Sequence, residues 1–198
     1  MELADLDPDP VVQFQRWMDD VLAADLPEPT AMILATSADD QPLARHVLLK
    51  SADHDGFTWV TNQRSRKGRQ LAANPTACLV FPWFPLGRQV IVTGSVALGT
   101  DEESDAYFAT RSIRSQLAAW ASDQSAVIPD RQWLVDRWDR YDQEFAGKPV
   151  PRPPHWGIYR LTPDAIEFWH QGADRMHDRF RFHRVTPTDE WQVDRLSP

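Results

Sequence analysis

Residues 30–61 read TAMILATSADDQPLARHVLLKSADHDGFTWVT. Three short apolar runs, TAMILAT, ARHVLLKS and FTWVT, are separated by the polar loop SADDQP and by an Asp55-Gly56 turn. Short runs bounded by turn residues are typical of β-strands. Because so few residues join one run to the next, the strands are expected to pair antiparallel, since parallel neighbours need a longer crossover. The stretch therefore predicts an antiparallel meander.

The rest of the chain adds helices and further strands to this meander. Apolar spacing and capping residues predict helices over 9–25, from Ser65 to Asn74, from Thr100, over 115–122 and from near Pro129. Strand-like segments are ACLVFPWF (77–84), RQVIVTGSVAL (88–98), HWGIYRL (155–161), AIEFWH (165–170), DRFRFHRV (178–185) and WQVDRL (191–196). Strands and helices do not alternate and no GxGxxG motif occurs, which disfavours a parallel doubly wound sheet. We predict a mostly β, α+β fold: a closed or nearly closed antiparallel β-barrel with peripheral helices.

The composition is that of one ordinary globular domain. The chain has 198 residues, 42% of them hydrophobic and 25% charged. These values predict a single domain over 1–198. Its expected parts are an N-terminal arm and helix (1–29), barrel strands (30–100), a helical segment (101–147) and C-terminal barrel strands (155–198).

Charge and residue usage exclude several classes of partner. A net charge of −8 disfavours nucleic acid, which needs a basic surface. No apolar run approaches the roughly 20 residues of a membrane span. The acidic N-terminus does not resemble a secretory signal. We therefore expect a cytoplasmic protein without a membrane partner. One cysteine and six histidines without ligand spacing predict no metal site.

The densest group of cations is Arg64–Arg69, at a predicted helix start. Free backbone N–H groups favour an anion there, and Arg66 and Lys67 add charged donors. An isolated basic helix start is more often simply solvated. In a chain of net charge −8, however, this concentration of cations favours a phosphate site.

A second basic segment is Arg45–Lys50. On a regular strand Arg45 and Lys50 point to opposite faces, which argues against one shared ligand. The arrangement permits two ligands, a strand bulge or a site shared across a dimer.

Two weaker patterns complete the candidate site. In an extended segment Arg175, His177 and Arg179 share one face, which suits an anionic ligand or a wet edge strand equally. Spacing of four residues puts three further polar side chains on one stripe, if a single continuous helix carries them: Tyr107, Arg111 and Ser115. Such a stripe alone is usually a solvated helix face.

Taken together, these segments resemble the pyridoxamine/pyridoxine 5′-phosphate oxidase family. The motifs follow the family's order from about Pro8 onward: RHVLLK (45–50), VTNQRSRKGRQ (60–70), FPW (81–83), GRQV (87–90), YFATR (107–111), SQLAAWAS (115–122) with Gln124-Ser125, HWG (155–157), EFWHQGADRMHDRF (167–180) and DRLSP (194–198). The resemblance implies an FMN-binding split β-barrel. It also implies a homodimer with FMN at the subunit interface.

The resemblance also implies roles for individual residues. Matched to the family's FMN-binding positions are Arg45, His46, Val47, Leu48, Leu49, Lys50, Val60, Thr61, Arg66, Lys67, Gln89, Gln124, Ser125, Trp169 and Arg179. Matched to its substrate-phosphate clamp are Lys50, Tyr107, Arg111 and Ser115. Arg175 and His177 match the catalytic pair that faces the pyridine ring of the substrate.

The implied reaction oxidises pyridoxamine or pyridoxine 5′-phosphate to pyridoxal 5′-phosphate, with O₂ as acceptor and H₂O₂ as product. Two alternatives stay open. One is a related FMN oxidase with another substrate, such as a dihydro tricyclic acid of phenazine synthesis, because Val60, Met176 and Arg114 depart from the family pattern and a long N-terminal arm is not matched. The other is a non-catalytic protein that binds flavin or a B6 phosphate.

Overall fold

The computed structural model describes all 198 residues as an α+β fold, with nine antiparallel strands in one sheet and five α-helices. The strands are β1 (Ala31–Ala38), β2 (Gln41–Leu48), β3 (Ser51–Asp53), β4 (Gly56–Asn62), β5 (Thr76–Trp83), β6 (Arg88–Leu98), β7 (Trp156–His170), β8 (Asp178–His183) and β9 (Gln192–Arg195). The helices are α1 (Pro10–Ala23), α2 (Arg66–Ala73), α3 (Asp101–Thr110), α4 (Ile113–Ala121) and α5 (Arg131–Glu144). The predicted fold class is confirmed.

The sheet is built around β7. The strand order is β2-β1-β5-β6-β7-β4-β3, and β8 pairs with both β7 and β9. We expected separate strands over 155–161 and 165–170, but β7 runs without a break from Trp156 to His170. A register shift in β6 at Thr93/Gly94 accommodates Pro163, which cannot donate a ladder hydrogen bond and is tolerated at bulges. Gly94 is required there, because a Cβ would lie 2.0 Å from the Thr162 carbonyl oxygen.

Helix α1 closes one side of the core. It begins at Pro10, and the Asp9 carboxylate caps it by accepting from the backbone N–H groups of Val11 and Val12. Its apolar face is buried as the spacing predicts. Phe14 has no exposed surface and packs edge-on against Phe57 at 4.9 Å between ring centroids. A single cluster of 24 buried residues therefore joins this helix to the sheet.

Two other helix starts follow the predicted capping residues. Ser65 accepts from the backbone N–H of Gly68 at the start of α2. Thr100 and Glu103 form a reciprocal capping box at the start of α3. Both caps satisfy backbone donors that a helix leaves free at its first turn. None of the five helices combines the length and apolarity needed to cross a bilayer.

Replacing Phe14 by Ala should lower the free energy of unfolding by about 3–5 kcal/mol, since a fully buried ring leaves a cavity. The measurement is urea unfolding at one fixed protein concentration. Leu22→Ala on the same helix is the matched control, because Leu22 is 53% exposed and should change stability by less than about 0.5 kcal/mol. Equal losses for the two variants would contradict this placement of the core.

Candidate active site

A cavity of about 260 Å³ opens where β2, β4, α2 and α3 meet the loop after α4. Its walls are His46, Val47, Leu48, Lys50, Val60, Thr61, Lys67, Tyr107, Arg111 and Gln124. Three of these side chains are cations and none is a carboxylate. In a protein of net charge −8, such a lining favours an anionic ligand.

Lys67 is the most buried cation of the cavity. It is 8% exposed, and its Nζ donates to Thr61 Oγ1 at 3.1 Å and to Gln124 Oε1 at 2.8 Å. Both partners are neutral. Burial, with a smaller contribution from Arg45, lowers the pKa of Lys67 to about 8. A bound anion would supply the counter-charge that these partners lack.

The start of α2 also fixes the loop that carries Gln124. The backbone N–H of Arg66 donates to Ser125 Oγ at 3.1 Å, and Ser125 adopts a left-handed φ of 74°. The turn into the helix is tight: a Cβ on Gly68 would lie 2.2 Å from the Gln63 carbonyl oxygen. The loop that carries Gln124 and Ser125 is thereby held beside the N-terminus of α2. A helix N-terminus itself attracts anions.

Arg45 and Lys50 lie in different surroundings. The guanidinium of Arg45 donates to the Leu34 carbonyl at 3.0 Å and to Thr36 Oγ1 at 2.7 Å, behind the cavity wall. Burial and the charge of Arg66 lower its pKa. The strand we expected over 44–51 ends at Leu48, so Lys50 leaves the regular alternation. It reaches the cavity instead, with Nζ 5.9 Å from the centre of the Tyr107 ring.

The expected stripe of Tyr107, Arg111 and Ser115 is interrupted. Helix α3 ends at Thr110, and Ser112 caps a new helix by accepting from the backbone N–H of Ser115. Tyr107 and Arg111 line the cavity, whereas Ser115 does not. The Ser115 hydroxyl instead accepts from Ser112 Oγ at 2.9 Å.

A second group of candidate residues forms a row across the sheet. Gln89 on β6 pairs with Trp169 on β7, which pairs with Arg179 on β8. Directly opposed residues of antiparallel strands share a face. Arg179 is oriented by Glu167, which accepts from its Nε at 2.8 Å and raises its pKa, and by the Ser197 carbonyl at 3.0 Å.

The segment before β8 is not extended, so the predicted alternation of Arg175, His177 and Arg179 on one strand is wrong. Asp174 and Arg175 adopt left-handed φ angles of 52° and 64°. The turn depends on glycine: a Cβ on Gly172 would lie 1.8 Å from the Met176 carbonyl oxygen. Arg175 is consequently exposed at the tip of the turn.

His177 nevertheless remains beside the row. Its ring lies 4.7 Å from that of Trp169, and its Nδ1 accepts from the backbone N–H of Gly172 at 3.2 Å. A neutral ring that accepts at Nδ1 carries its proton on Nε2. His177 can therefore offer a hydrogen-bond donor at its outer nitrogen.

The row and the cavity occupy separate parts of one chain. None of Gln89, Trp169 and Arg179 lines the cavity. Val60, in the cavity wall, pairs with Ile158 near the start of β7, whereas Trp169 lies near its end. Between these two β7 residues lies roughly 36 Å of strand at ~3.3 Å per residue. The cavity and the row are thus two separate groups of candidate residues within one chain.

Several residues that orient the candidate site residues were not predicted from the sequence. Thr36 and Gln70 hold Arg45, Glu167 holds Arg179, and Trp156 lies against Arg111. Each contact joins residues on different strands or helices, so no local spacing points to it. The available signal was that Gln70, Glu167 and Trp156 lie inside motifs quoted for the family.

Comparison with family models gives two matches along the chain. Residues 18–145 match the model described as pyridoxamine 5′-phosphate oxidase, and residues 156–198 match the pyridoxine 5′-phosphate oxidase C-terminal dimerisation region. The chain belongs to the pyridoxamine 5′-phosphate oxidase family.

Individual relatives agree with the family assignment. Pyridoxine/pyridoxamine 5′-phosphate oxidases from Acidothermus cellulolyticus and Cupriavidus necator are 52% and 55% identical to this chain. Each match covers 98% of this chain, and 88% and 91% of the two relatives respectively. The crystal structure of PhzG from Burkholderia lata in complex with tetrahydrophenazine-1-carboxylic acid superimposes with a TM-score of 0.91 at 31% identity. That match covers 98% of this chain and 95% of PhzG.

Anion binding in the cavity should weaken as the pH rises through about 8, because the bound form needs the Lys67 ammonium and its pKa lies there. Sulfate is a suitable probe, since its charge is constant over this range. We expect its Kd, measured by calorimetry, to rise tenfold or more between about pH 7 and pH 9.5.

Lys67→Arg is the control for this titration, because a guanidinium stays charged throughout. The sulfate affinity of this variant should be nearly flat over the same range. A wild-type affinity that is also flat would contradict the assignment of the titration to Lys67.

Proposed function

We propose that this protein oxidises pyridoxamine or pyridoxine 5′-phosphate to pyridoxal 5′-phosphate with FMN as cofactor, O₂ as acceptor and H₂O₂ as product. The observation that carries the proposal is the cavity with Lys50, Lys67 and Arg111 and no carboxylate. Cofactor and substrate are both phosphate esters, and such a lining binds phosphate through charge-assisted hydrogen bonds. Relatives about half identical over nearly the whole chain carry the corresponding name.

The residues present fit the phosphate of FMN. Lys67 is a buried ammonium with only neutral partners, next to a helix start that attracts anions. Around this position stand Arg45, Arg66, Thr61, Gln124 and Ser125. The segment His46–Leu49 and Val60 would flank the flavin. When bound, FMN supplies the group that accepts a hydride from the substrate and returns the electrons to O₂.

The missing wall of the flavin site is assigned to a second copy of the chain. Gln89, Trp169 and Arg179 of the partner subunit would complete the site, because the same residues of one chain do not reach its own cavity. The match of residues 156–198 to a dimerisation region supports a homodimer. Two strands of the row, β7 and β8, lie within that region, and the third, β6, pairs with β7.

The substrate phosphate is assigned to Lys50, Tyr107 and Arg111. They lie together in the cavity, and Arg111 Nη1 is buried without a hydrogen-bond partner. An unpaired buried donor is costly, so a ligand oxygen at this atom would be strongly favoured. The assignment of Ser115 to the same clamp rests on the family resemblance alone.

Arg175 and His177 are proposed to orient and polarise the substrate at the flavin face. His177 holds its Nδ1 on the Gly172 backbone, which leaves the Nε2 proton for a substrate heteroatom. The exposed turn that carries Arg175 allows its guanidinium to approach the ligand from outside. Binding energy from the remote phosphate would then hold the reacting carbon in place.

A second candidate function is a related FMN oxidase that acts on a reduced phenazine precursor. The TM-score of 0.91 with PhzG in complex with tetrahydrophenazine-1-carboxylic acid favours it. The identity of 31%, against 55% for a pyridoxine/pyridoxamine 5′-phosphate oxidase, makes it the weaker candidate. A non-catalytic flavin-binding protein is the third, and it predicts a flavin that no substrate reduces.

The first test is anaerobic addition of pyridoxine 5′-phosphate to the FMN-loaded protein, followed by stopped-flow absorbance. Rapid loss of the oxidised flavin band near ~450 nm is expected, with pyridoxal 5′-phosphate present once air is admitted. A band that stays oxidised would reject the proposed substrate. Bleaching by a reduced phenazine acid instead would establish the second candidate.

Arg111→Ala should raise the KM for pyridoxine 5′-phosphate by roughly 30-fold or more, because a charged hydrogen-bond partner of the phosphate is lost. The measurement is steady-state oxidation under air. Arg140→Ala is the control, since Arg140 stacks on Tyr141 in α5, outside the cavity lining. An unchanged KM in Arg111→Ala would remove Arg111 from the clamp.

A further inference from the structure

Arg111 is surrounded by aromatic rings rather than by carboxylates. Its Cζ lies 4.9 Å from the ring centre of Trp156 and 5.6 Å from that of Phe108. No salt bridge involves it, and its buried Nη1 has no hydrogen-bond partner. Burial lowers its pKa. A guanidinium in such a position needs some compensation for lost water, and the negative face of an indole ring provides part of it.

The same indole also holds the neighbouring clamp residue. The rings of Tyr107 and Trp156 are stacked, with centroids 6.2 Å apart and planes at 13°. Phe108 meets the indole edge-to-face at 5.1 Å. Trp156 is itself only 5% exposed. One buried side chain therefore contacts three residues at the end of α3, two of which line the cavity.

The backbone of Trp156 is fastened to α3. Its carbonyl accepts from Arg152 Nη1 at 2.6 Å, and the same guanidinium donates to Asp101 at 2.6 Å and to Asp105 at 2.5 Å. These contacts join the first residue of β7 to the first half of α3. The position of the indole relative to the end of α3 is consequently fixed from two sides.

The residue after Trp156 is a glycine and lies where α3 packs closely against β7. A Cβ on Gly157 would lie 3.3 Å from Ser104 Oγ. That hydroxyl accepts from the backbone N–H of Ile158 at 3.1 Å. A Cβ at position 157 would also meet Gln63 Nε2 at 3.1 Å, so there is little room for a side chain between β7 and α3 here.

We propose that Trp156 is a positioning residue for the phosphate clamp. Its ring fixes Arg111 and Tyr107 at the cavity wall in the place where a carboxylate would otherwise pair with the guanidinium. The ring offsets the positive charge of Arg111 only in part, and it accepts no hydrogen bond from the guanidinium N–H groups. A phosphate monoester that enters the cavity therefore provides the negative charge and the hydrogen-bond acceptors that Arg111 lacks. The identity of that ligand rests on the proposed function.

The test compares Trp156→Leu, which removes the aromatic face, with Trp156→Phe, which keeps a smaller one. For Trp156→Leu the KM for pyridoxine 5′-phosphate should rise about tenfold with kcat within about twofold, as expected for a lost cation–π contact at a desolvated site. Trp156→Phe should shift KM in the same direction by less. Trp138→Leu is the control, because Trp138 also carries an arginine, with Arg114 Cζ at 5.5 Å, but Arg114, unlike Arg111, does not line the cavity. It should leave KM unchanged.

A double variant separates positioning from a general structural role. Because Trp156 contacts both Arg111 and Tyr107, the increase in KM caused by Trp156→Leu should be clearly smaller in the Arg111→Ala background than in the wild type, so the two effects are less than additive. Additive effects would overturn the proposal. So would a Trp156→Leu protein in which kcat, FMN affinity and KM all deteriorate together. Should Trp156→Leu fail to fold, the same cycle is run with Trp156→Phe.

Inorganic phosphate distinguishes failure of this inference from failure of the proposed function. Its Kd for the FMN-loaded protein, measured by calorimetry, should increase about tenfold in Trp156→Leu and stay constant in Trp138→Leu. This readout applies whether or not the protein oxidises pyridoxine 5′-phosphate. Equal phosphate affinities in wild type and Trp156→Leu would reject the role of Trp156 even in an active oxidase.

Discussion

The hydrogen-bonded ladder of β7 holds the sheet together and pairs with strands from both groups of candidate site residues. Its 15 residues pair with β6 along most of the strand, with β4 over its first half and with β8 over its second half. The first half brings Trp156 against Arg111 and Tyr107 of the cavity, and the second half carries Trp169 and pairs with the strand of Arg179. Because the cavity and the row lie near opposite ends of this strand, the proposed flavin site takes one group from each subunit of a two-fold pair.

Uncompensated positive charge is the second unifying feature. Arg179, outside the cavity, is paired with Glu167, whereas Lys67 and Arg111 meet only neutral oxygens or aromatic rings. Burial lowers the pKa of both. The protein thus keeps its carboxylates away from one cavity although acidic residues outnumber basic ones overall. A cavity with such unpaired cations binds a doubly charged phosphate ester more strongly than a neutral or singly charged ligand. FMN and the substrate of the proposed reaction are both phosphate esters of this kind.

Local signals in the sequence were sufficient for much of the fold and part of the site. Ser65, Thr100 and the apolar face of α1 predicted helix starts correctly, because capping and amphipathic spacing act within one turn. The continuity of β7 was missed because a proline such as Pro163 is typical of a strand end, and only its pairing with Gly94 of β6 at the register shift shows otherwise. The contact of Trp156 with Arg111 was beyond prediction because it joins residues far apart in the chain. The turn at Arg175 is local, between Gly172 and Met176, but the alternating polar residues around it fit an extended strand equally well.

Complementation between two inactive subunits tests directly whether the active site is built from two copies of this chain. Lys67→Met damages the cavity, and Arg179→Ala damages the row formed by Gln89, Trp169 and Arg179. In a heterodimer of the two variants, one proposed site combines the intact cavity of one subunit with the intact row of the other. Co-expressed with different tags and mixed at random, they should recover about a quarter of wild-type oxidation of pyridoxine 5′-phosphate, because half of the dimers are heterodimers with one working site. Purified heterodimers no more active than either parent would contradict an active site built from two copies of this chain.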